Sequence, residues 1–324
     1  MKNSFLKIFT ITIIVVNILA SLEANTIKIA VLKFGSVNWE LNVIKHHKLD
    51  KKHNIRIKKI EMTNKDASTI AFLSKSVDIF VTDWIWVSKQ RSQGNYVSFI
   101  PYSNSAGGLM IKKNKKIYNF LDLKDRKVGV AGGSLDKSWL FLRAYAIKKY
   151  EVDPLTFFKT SFAAPPLING LLRNNQLDAG FNYWNYSARL KAQGYEEFLK
   201  LDEILPYIGI NGELPLIGYV FRDSFVKENY SILNKFIKTS NEAREILKTS
   251  DKEWNRINKI TGANDELMLK SIRDGFRKGI PSNNHKLMRN NIENAYKILS
   301  KIGGNDLVGN STKLTTGTYW EKIE

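Results

Sequence analysis

The chain contains no cysteine. That excludes disulfides, a thiol nucleophile and a lipid-modified cysteine at an export junction, so the hydrophobic core alone must hold the fold together. Histidine is scarce as well. Of the four, His46, His47 and His53 fall on a lysine-rich helix and the loop after it, and His285 lies in a polar loop, all positions that read as solvated surface. There is no HExxH, no Gly-x-Ser-x-Gly nucleophile turn and no dinucleotide fingerprint, and the paired acidic residues lack metal-loop spacing. A P-loop is excluded because Asp136 and Ala131 stand where that motif needs glycine before Lys137-Ser138. These absences point away from an enzyme: no catalytic residue, metal or cofactor is expected.

Long hydrophobic runs are also missing, with one exception at the start. Lys2 and Lys7 precede an apolar run from Ile8 to Leu19, followed by Ser21-Leu22-Glu23-Ala24. This run is shorter than the ~20 residues of a membrane span and carries the marks of a cleaved secretory signal, residues 1–24. A soluble, exported product is expected. The formal charge of +19 is spread along the chain in short lysine clusters, Lys51-Lys52, Lys58-Lys59, Lys112-Lys113 and Lys115-Lys116. No nucleic-acid-binding module accompanies it, so the charge is read as a solvated surface with a mild preference for anionic solutes, and nucleic acid is not an expected partner. At roughly 300 mature residues the chain exceeds one comfortable core, and two domains are expected.

An internal repeat supports that division. Val77-Asp78-Ile79-Phe80-Val81-Thr82-Asp83-Trp84 aligns, at an offset of one hundred, with Leu177-Asp178-Ala179-Gly180-Phe181-Asn182-Tyr183-Trp184; Gln93-Gly94 aligns with Gln193-Gly194, and Trp39 with Trp139. Each half reads as a buried parallel strand ending at a polar and aromatic edge, which implies two similar lobes facing a shared cleft. Strand and helix alternate from Thr26: strands at Thr26–Leu32, Ile55–Ile60, Val77–Val81, Val97–Pro101 and Gly107–Lys112, with helices at Trp39–Leu49, Lys65–Ser74 and Trp84–Gln93. The alternation restarts at Lys127–Ala131 with a helix from Leu135 to Tyr150, then Phe157–Ser161, Pro165–Arg173, Leu177–Phe181 and Tyr183–Gln193. Pro206–Gly209 reads as a return crossing, Tyr219–Arg222 as one more strand, and the rest as helices at Glu228–Leu247, Asp251–Ile260, Asp265–Lys278 and Lys286–Ile302. The expected fold is α/β, with residues 25–112 and 213–324 forming a discontinuous first lobe and 113–212 a second. Each lobe is a mainly parallel sheet flanked by helices. Two crossings make a hinge suited to closure around a ligand.

Candidate ligand contacts cluster at the strand ends. In Val128-Gly129-Val130-Ala131-Gly132-Gly133-Ser134 a strand runs into a turn where Gly133 and Ser134 precede a helix opening at Leu135, with Ser134 as its cap; free N–H groups there can receive an acidic oxygen, or the segment is a plain capped turn. Asp83, between Thr82 and Trp84, either accepts from an ammonium or caps the following helix. Asn182 matches Thr82 in the second half. Trp39, Trp84, Trp139 and Trp184 form apolar walls for a ligand or plug the core, whereas Trp86 reads as core. Tyr102, Ser103, Glu213 and Tyr219 lie near strand ends or crossings.

Taken together, Leu121-Asp122-Leu123-Lys124-Asp125-Arg126-Lys127-Val128-Gly129-Val130 with Gly132-Gly133-Ser134, Leu171 to Gly180, and Gly218-Tyr219-Val220-Phe221 resemble a family. It is that of the periplasmic substrate-binding proteins of ABC importers for nitrate, taurine, alkanesulfonates and thiamine-precursor pyrimidines (NitT/TauT-like). The resemblance spans the mature chain and implies a two-lobed, type II periplasmic-binding-protein-like fold. It also implies ligand contacts at Phe34 through Trp39 (Ser36 among them), Thr82 through Trp84, Gly133-Ser134 and Asn182 through Trp184. Pyrimidine-handling relatives often carry a Cys-rich motif that is absent here. The expected function is an exported, monomeric receptor that captures a small polar organic solute, a sulfonate-like anion or a zwitterion, and delivers it to an inner-membrane ABC permease with its ATPase. An enzyme on the same fold, such as a pyrimidine synthase, and a ligand-sensing partner of a membrane receptor are the alternatives. If the indoles of Trp84 and Trp184 line the ligand, replacing either with Ala removes the ligand-induced thermal shift and leaves the unliganded melting point nearly unchanged. A fall in unliganded stability marks a core plug instead.

Overall fold

The computed structural model describes residues 25–33, 35–113 and 116–321. Residues 1–24, where a secretory signal is expected, Phe34 and Lys115 lie outside the described residues. Strands β1 Thr26–Leu32, β2 Arg56–Met62, β3 Ile79–Thr82, β4 Val97–Ser103 and β5 Gly108–Lys112 alternate with helices α1 Val37–His46, α2 Leu49–Lys52, α3 Lys65–Leu73 and α4 Trp84–Ser92. A second series follows: β6 Lys127–Ala131, α5 Lys137–Tyr150, α6 Pro154–Phe157, β7 Lys159–Ala163, α7 Pro165–Arg173, β8 Ala179–Phe181, α8 Trp184–Ala192, β9 Tyr195–Lys200 and α9 Leu201–Tyr207. Strand β10 Ile217–Arg222 comes next, and helices α10 Asp223–Thr249, α11 Asp251–Thr261, α12 Glu266–Lys278 and α13 His285–Val308 complete the chain. Among the described residues no helix is long and apolar enough to cross a membrane.

The strands form two five-stranded sheets, β2-β1-β3-β10-β4 and β7-β6-β8-β5-β9, whose first three positions repeat the same βαβ order. Strand β1 runs parallel to β2 and β3, and β6 parallel to β7 and β8, while β5 is antiparallel to β8 and β9. The repeat seen in the sequence therefore has a physical counterpart. Asp78 accepts from the Lys28 N–H and gives its own N–H to the Lys28 carbonyl; Asp178 does the same at Lys127, with 3.1 and 2.9 Å against 2.8 and 2.8 Å. Each aspartate thus locks the start of the third strand of its series onto the first strand.

By contacts the chain divides into two compact units, Met1–Val81 with Phe221–Glu253, and Thr82–Val220 with Trp254–Glu324. In the first unit, Ile27, Ile29, Ile79 and Phe80 are fully buried and Phe72 stacks on Phe80 at 4.5 Å between ring centroids. Arg222 lies over the Phe72 ring at 4.7 Å and donates to the Phe72 and Val77 carbonyls, closing the turn between α3 and β3. In the second unit, Ile168 and Leu172 of α7 pack against Met110, Ala131 and Leu177. Helix α7 sits this close because β6 and β8 carry glycine where it crosses them. A Cβ on Gly129 would lie 2.9 Å from Ile168 Cδ1, and one on Gly180 would lie 2.7 Å from Leu172 Cδ1. Burying side chains of this size contributes about 1.5–3 kcal/mol each.

Several expected elements shift. Helix α5 opens at Lys137, not Leu135, and its cap is Asp136, whose carboxylate accepts from the Ser138 and Trp139 N–H groups; Ser134 is exposed. Gly132 and Gly133 hold φ of 92° and 118°, so the chain turns twice more before helical geometry begins. Pro206, expected in a crossing, lies in the last turn of α9, where only a terminal hydrogen bond is forfeited. Helix α10 starts before the expected Glu228 and kinks at Asn229, whose side chain donates to the Phe225 carbonyl.

Arg143 grips Asp153 through two parallel hydrogen bonds of 2.8 and 2.7 Å, and Asp153 also caps α6. The Arg143 hydrogen bond holds the Asp153 carboxyl below its ordinary value, against partial burial and with help from the Leu155 N–H. Because the folded value lies below the unfolded one, this stabilisation is fully present above about pH 4 and is lost as the pH falls through the folded value. Asp153→Asn keeps a capping oxygen but loses the charge. Denaturant unfolding should show a deficit of about 1 kcal/mol at pH 7 that shrinks as the pH falls below the ordinary carboxylate range; a deficit independent of pH would contradict this assignment.

Candidate functional site

The ends of β3, β6 and β8 build the site, all within the second unit. Beyond β3, Asp83 is the N-cap of α4: Oδ1 accepts from the Trp86 N–H at 3.0 Å. Its other oxygen takes a hydrogen bond from Lys137 Nζ at 2.9 Å, and the side chains are only 9% and 14% exposed. A nearly dry ion pair thus joins the start of α4 to the start of α5. Beyond β6, the Gly132-Gly133 turn runs to Asp136, and beyond β8 Tyr183 brings its hydroxyl against that turn. A Cβ on Gly132 would lie 2.6 Å from the Tyr183 oxygen and 3.1 Å from Asp136 Oδ2. Tyr183 is 40% exposed as a residue, but its hydroxyl is packed against the turn; desolvation there, and then the negative charges of Asp136 and Asp83, push the phenol above its ordinary value. It therefore stays a neutral O–H donor throughout the physiological range.

The cluster has two carboxylates, one ammonium and one phenol. Both adjoining helix N-termini are already occupied by an aspartate of the protein. That disfavours the simple anion pocket expected from the turn at Gly133 and Ser134, since a lone anion would meet two negative charges. A solute with both signs of charge meets a partner for each: the carboxylates for an amine, Lys137 and the Tyr183 hydroxyl for an acidic group.

The other residues singled out in the sequence fall into distinct settings. Trp84 is fully buried, with its ring N–H donating to the Pro215 carbonyl at 2.7 Å and its ring beside Tyr296 at 6.4 Å. Trp139 is fully buried among Phe158 and Phe162. Neither ring shows a face to solvent, so both have the geometry of core residues. Trp184 differs: it lines a cavity of about 520 Å³ together with Ser105, Glu213, Leu214, Leu216 and Gly275, and packs against Phe276. Trp84 stands behind that wall, bonded to the residue between Leu214 and Leu216. Tyr102 and Tyr219 are buried and meet edge to face at 5.2 Å. Ser103 accepts from the Ser105 N–H. Asn182 is buried, donating to Pro165 and Asn169 and accepting from the Tyr183 N–H, so it holds the loop in place. Thr82 is buried beside Asp83, and its hydroxyl has no hydrogen-bond partner. Ser36 and Trp39 belong to the first unit, both buried; there Asn38 fixes the β1–α1 loop by donating to Leu32, Lys33 and Gly35 carbonyls. Lys137 and Asp136 were not singled out as contacts in the sequence, whereas Tyr183 falls within the loop Asn182 through Trp184 that the resemblance implies. A second signal for Tyr183 is its position opposite Asp83 in the repeat.

The family described as NMT1/THI5 like matches residues 50–252. The chain belongs to the NMT1/THI5-like family. No curated protein sequence matches it. Among solved structures, the periplasmic aliphatic sulphonate binding protein SsuA from Escherichia coli is similar, with TM-score 0.69, 17% identity and coverage of 93% of this chain and 95% of that one. The alkanesulfonate-binding protein SsuA from Xanthomonas axonopodis pv. citri, bound to MOPS, gives 0.69 at 12% identity over 92% and 99%. An ABC transporter from Parabacteroides distasonis gives 0.67 at 13% identity over 92% and 99%. This NMT1/THI5-like chain has the α/β fold of type II periplasmic binding proteins.

Gly132→Ala should destabilise the protein by about 1–3 kcal/mol, because alanine is strained at positive φ and its methyl collides with the Tyr183 hydroxyl. Thermal unfolding reads this, and an unchanged melting point would show that the turn is loose. Trp84→Ala should cost about 3–5 kcal/mol without any ligand present; an unchanged unliganded melting point would restore the ligand-wall role.

Proposed function

We propose that this protein is an extracytoplasmic receptor of an ABC importer that binds a small zwitterionic solute at Asp83, Lys137 and Tyr183 and hands it to an inner-membrane permease. The observation that carries this reading is the buried Asp83–Lys137 pair beside the Tyr183 hydroxyl, at the strand ends where this fold leaves room for a ligand. The pair itself mimics a zwitterion. A solute bearing an amine and a carboxylate or sulfonate would exchange with it, its amine taking Asp83 and its acidic group taking Lys137. Asp83 stands at the start of α4 and Lys137 at the start of α5, so the exchange replaces the ion pair that joins these two helices with contacts to the solute. The signal segment and the periplasmic sulfonate-binding neighbours support export to the periplasm. The receptor acts as a monomer and without catalysis; turnover of a bound solute would favour the enzyme reading instead.

Thermal-shift and calorimetric screening across amino acids, aminosulfonates, simple alkanesulfonates and pyrimidines tests the proposal. A solute at a hundred times its dissociation constant stabilises the fold by ~2.7 kcal/mol. The expected ligand carries both charges. Asp83→Asn, which keeps the cap oxygen, and Lys137→Met should each weaken it about tenfold or more, the loss of one charge-assisted hydrogen bond. If the best ligand binds both variants as tightly as the wild type, the site lies elsewhere; if no small solute binds, the receptor reading fails.

A further inference from the structure

We infer that His46, His47 and Glu253 form a surface site for one zinc-type divalent cation, separate from the solute site. His46 is the last residue of α1 and His47 its C-cap, while Glu253 lies in the first turn of α11. One ligand atom from each comes together within 4.8 Å of the others. His47 Nε2 is 3.2 Å from Glu253 Oε2, and the two imidazoles meet edge to face at 4.8 Å between centroids. Zinc bonds of about 2.0–2.2 Å in a tetrahedron set its ligands about 3.4 Å apart. The His47–Glu253 spacing already matches, and an exposed imidazole on His46 closes the rest by side-chain rotation.

The chemistry is that of an imidazole, imidazole and carboxylate set with an open fourth position, which suits borderline divalent ions better than calcium or magnesium. Glu253 is the fixed member: its side chain is only 6% exposed, and its backbone N–H is held by Ser250 Oγ. The histidines are exposed, so a cation reaches the site from solvent. Lys45 and Lys48 flank them in sequence and oppose the ion, an effect the Glu253 carboxylate offsets at close range. The other histidine–glutamate pair of this unit, His53 with Glu242, lacks a second imidazole and is held by Lys52.

The test is calorimetric titration of the chelator-stripped, intact protein with zinc chloride. One site is expected, and His46→Ala and His47→Ala should each weaken it about tenfold or more, as loss of a ligand requires, while His53→Ala leaves it unchanged. Both histidines are surface residues, and circular dichroism verifies that the variants fold. The inference is overturned if zinc binds no more tightly than about 1 mM, if its affinity survives both substitutions, or if His53→Ala reduces it equally.

Discussion

The Asp83–Lys137 ion pair is the constraint around which the site is organised. Two opposite charges at 2.9 Å and nearly out of water have each given up several kcal/mol of hydration, which only their mutual hydrogen bond and neighbouring donors restore. Whatever displaces that contact must supply both charges at comparable geometry. An uncharged solute leaves two buried ions unpaired, and a solute with one charge leaves one. The requirement acts as a filter on ligand class before any fine shape complementarity is considered, and it follows from electrostatics alone.

The frame that holds the pair is duplicated. Asp78 and Asp178 perform the same double hydrogen bond at the start of the third strand of each series, and those strands end at Thr82-Asp83 and Asn182-Tyr183. The same βαβ order therefore delivers a carboxylate from one copy and a phenol from the other. Glycine sets the tolerances: Gly129 and Gly180 admit α7, and Gly132 leaves room for the Tyr183 hydroxyl. In this way small residues far apart in the chain decide where a large one can stand.

Much of this was legible beforehand. The spans of β1, β6 and α7 agree with the structure residue for residue, because each is an apolar run bounded by turn residues or proline. The repeat was legible because both copies kept the aspartate and the tryptophan at matching positions. Side-chain direction was not. Trp84 and Trp184 occupy equivalent positions, yet one is sealed by Tyr296 and Pro215 and the other lines a cavity, a difference that depends on helices packed from elsewhere in the chain. The cap of α5 was missed because Ser134 and Asp136 are both good capping residues, and the two left-handed glycines, which choose between them, leave no mark in periodicity. Lys137 was passed over for a related reason: a lysine gains significance from the carboxylate it meets, and Asp83 is distant in sequence.

The most direct measurement is a crystal structure of the protein with its tightest-binding solute. An acidic oxygen of the solute is expected within hydrogen-bond distance of Lys137 Nζ and its amine on Asp83, with the direct bond between those two residues broken. A solute bound elsewhere, with that bond intact, would contradict this arrangement.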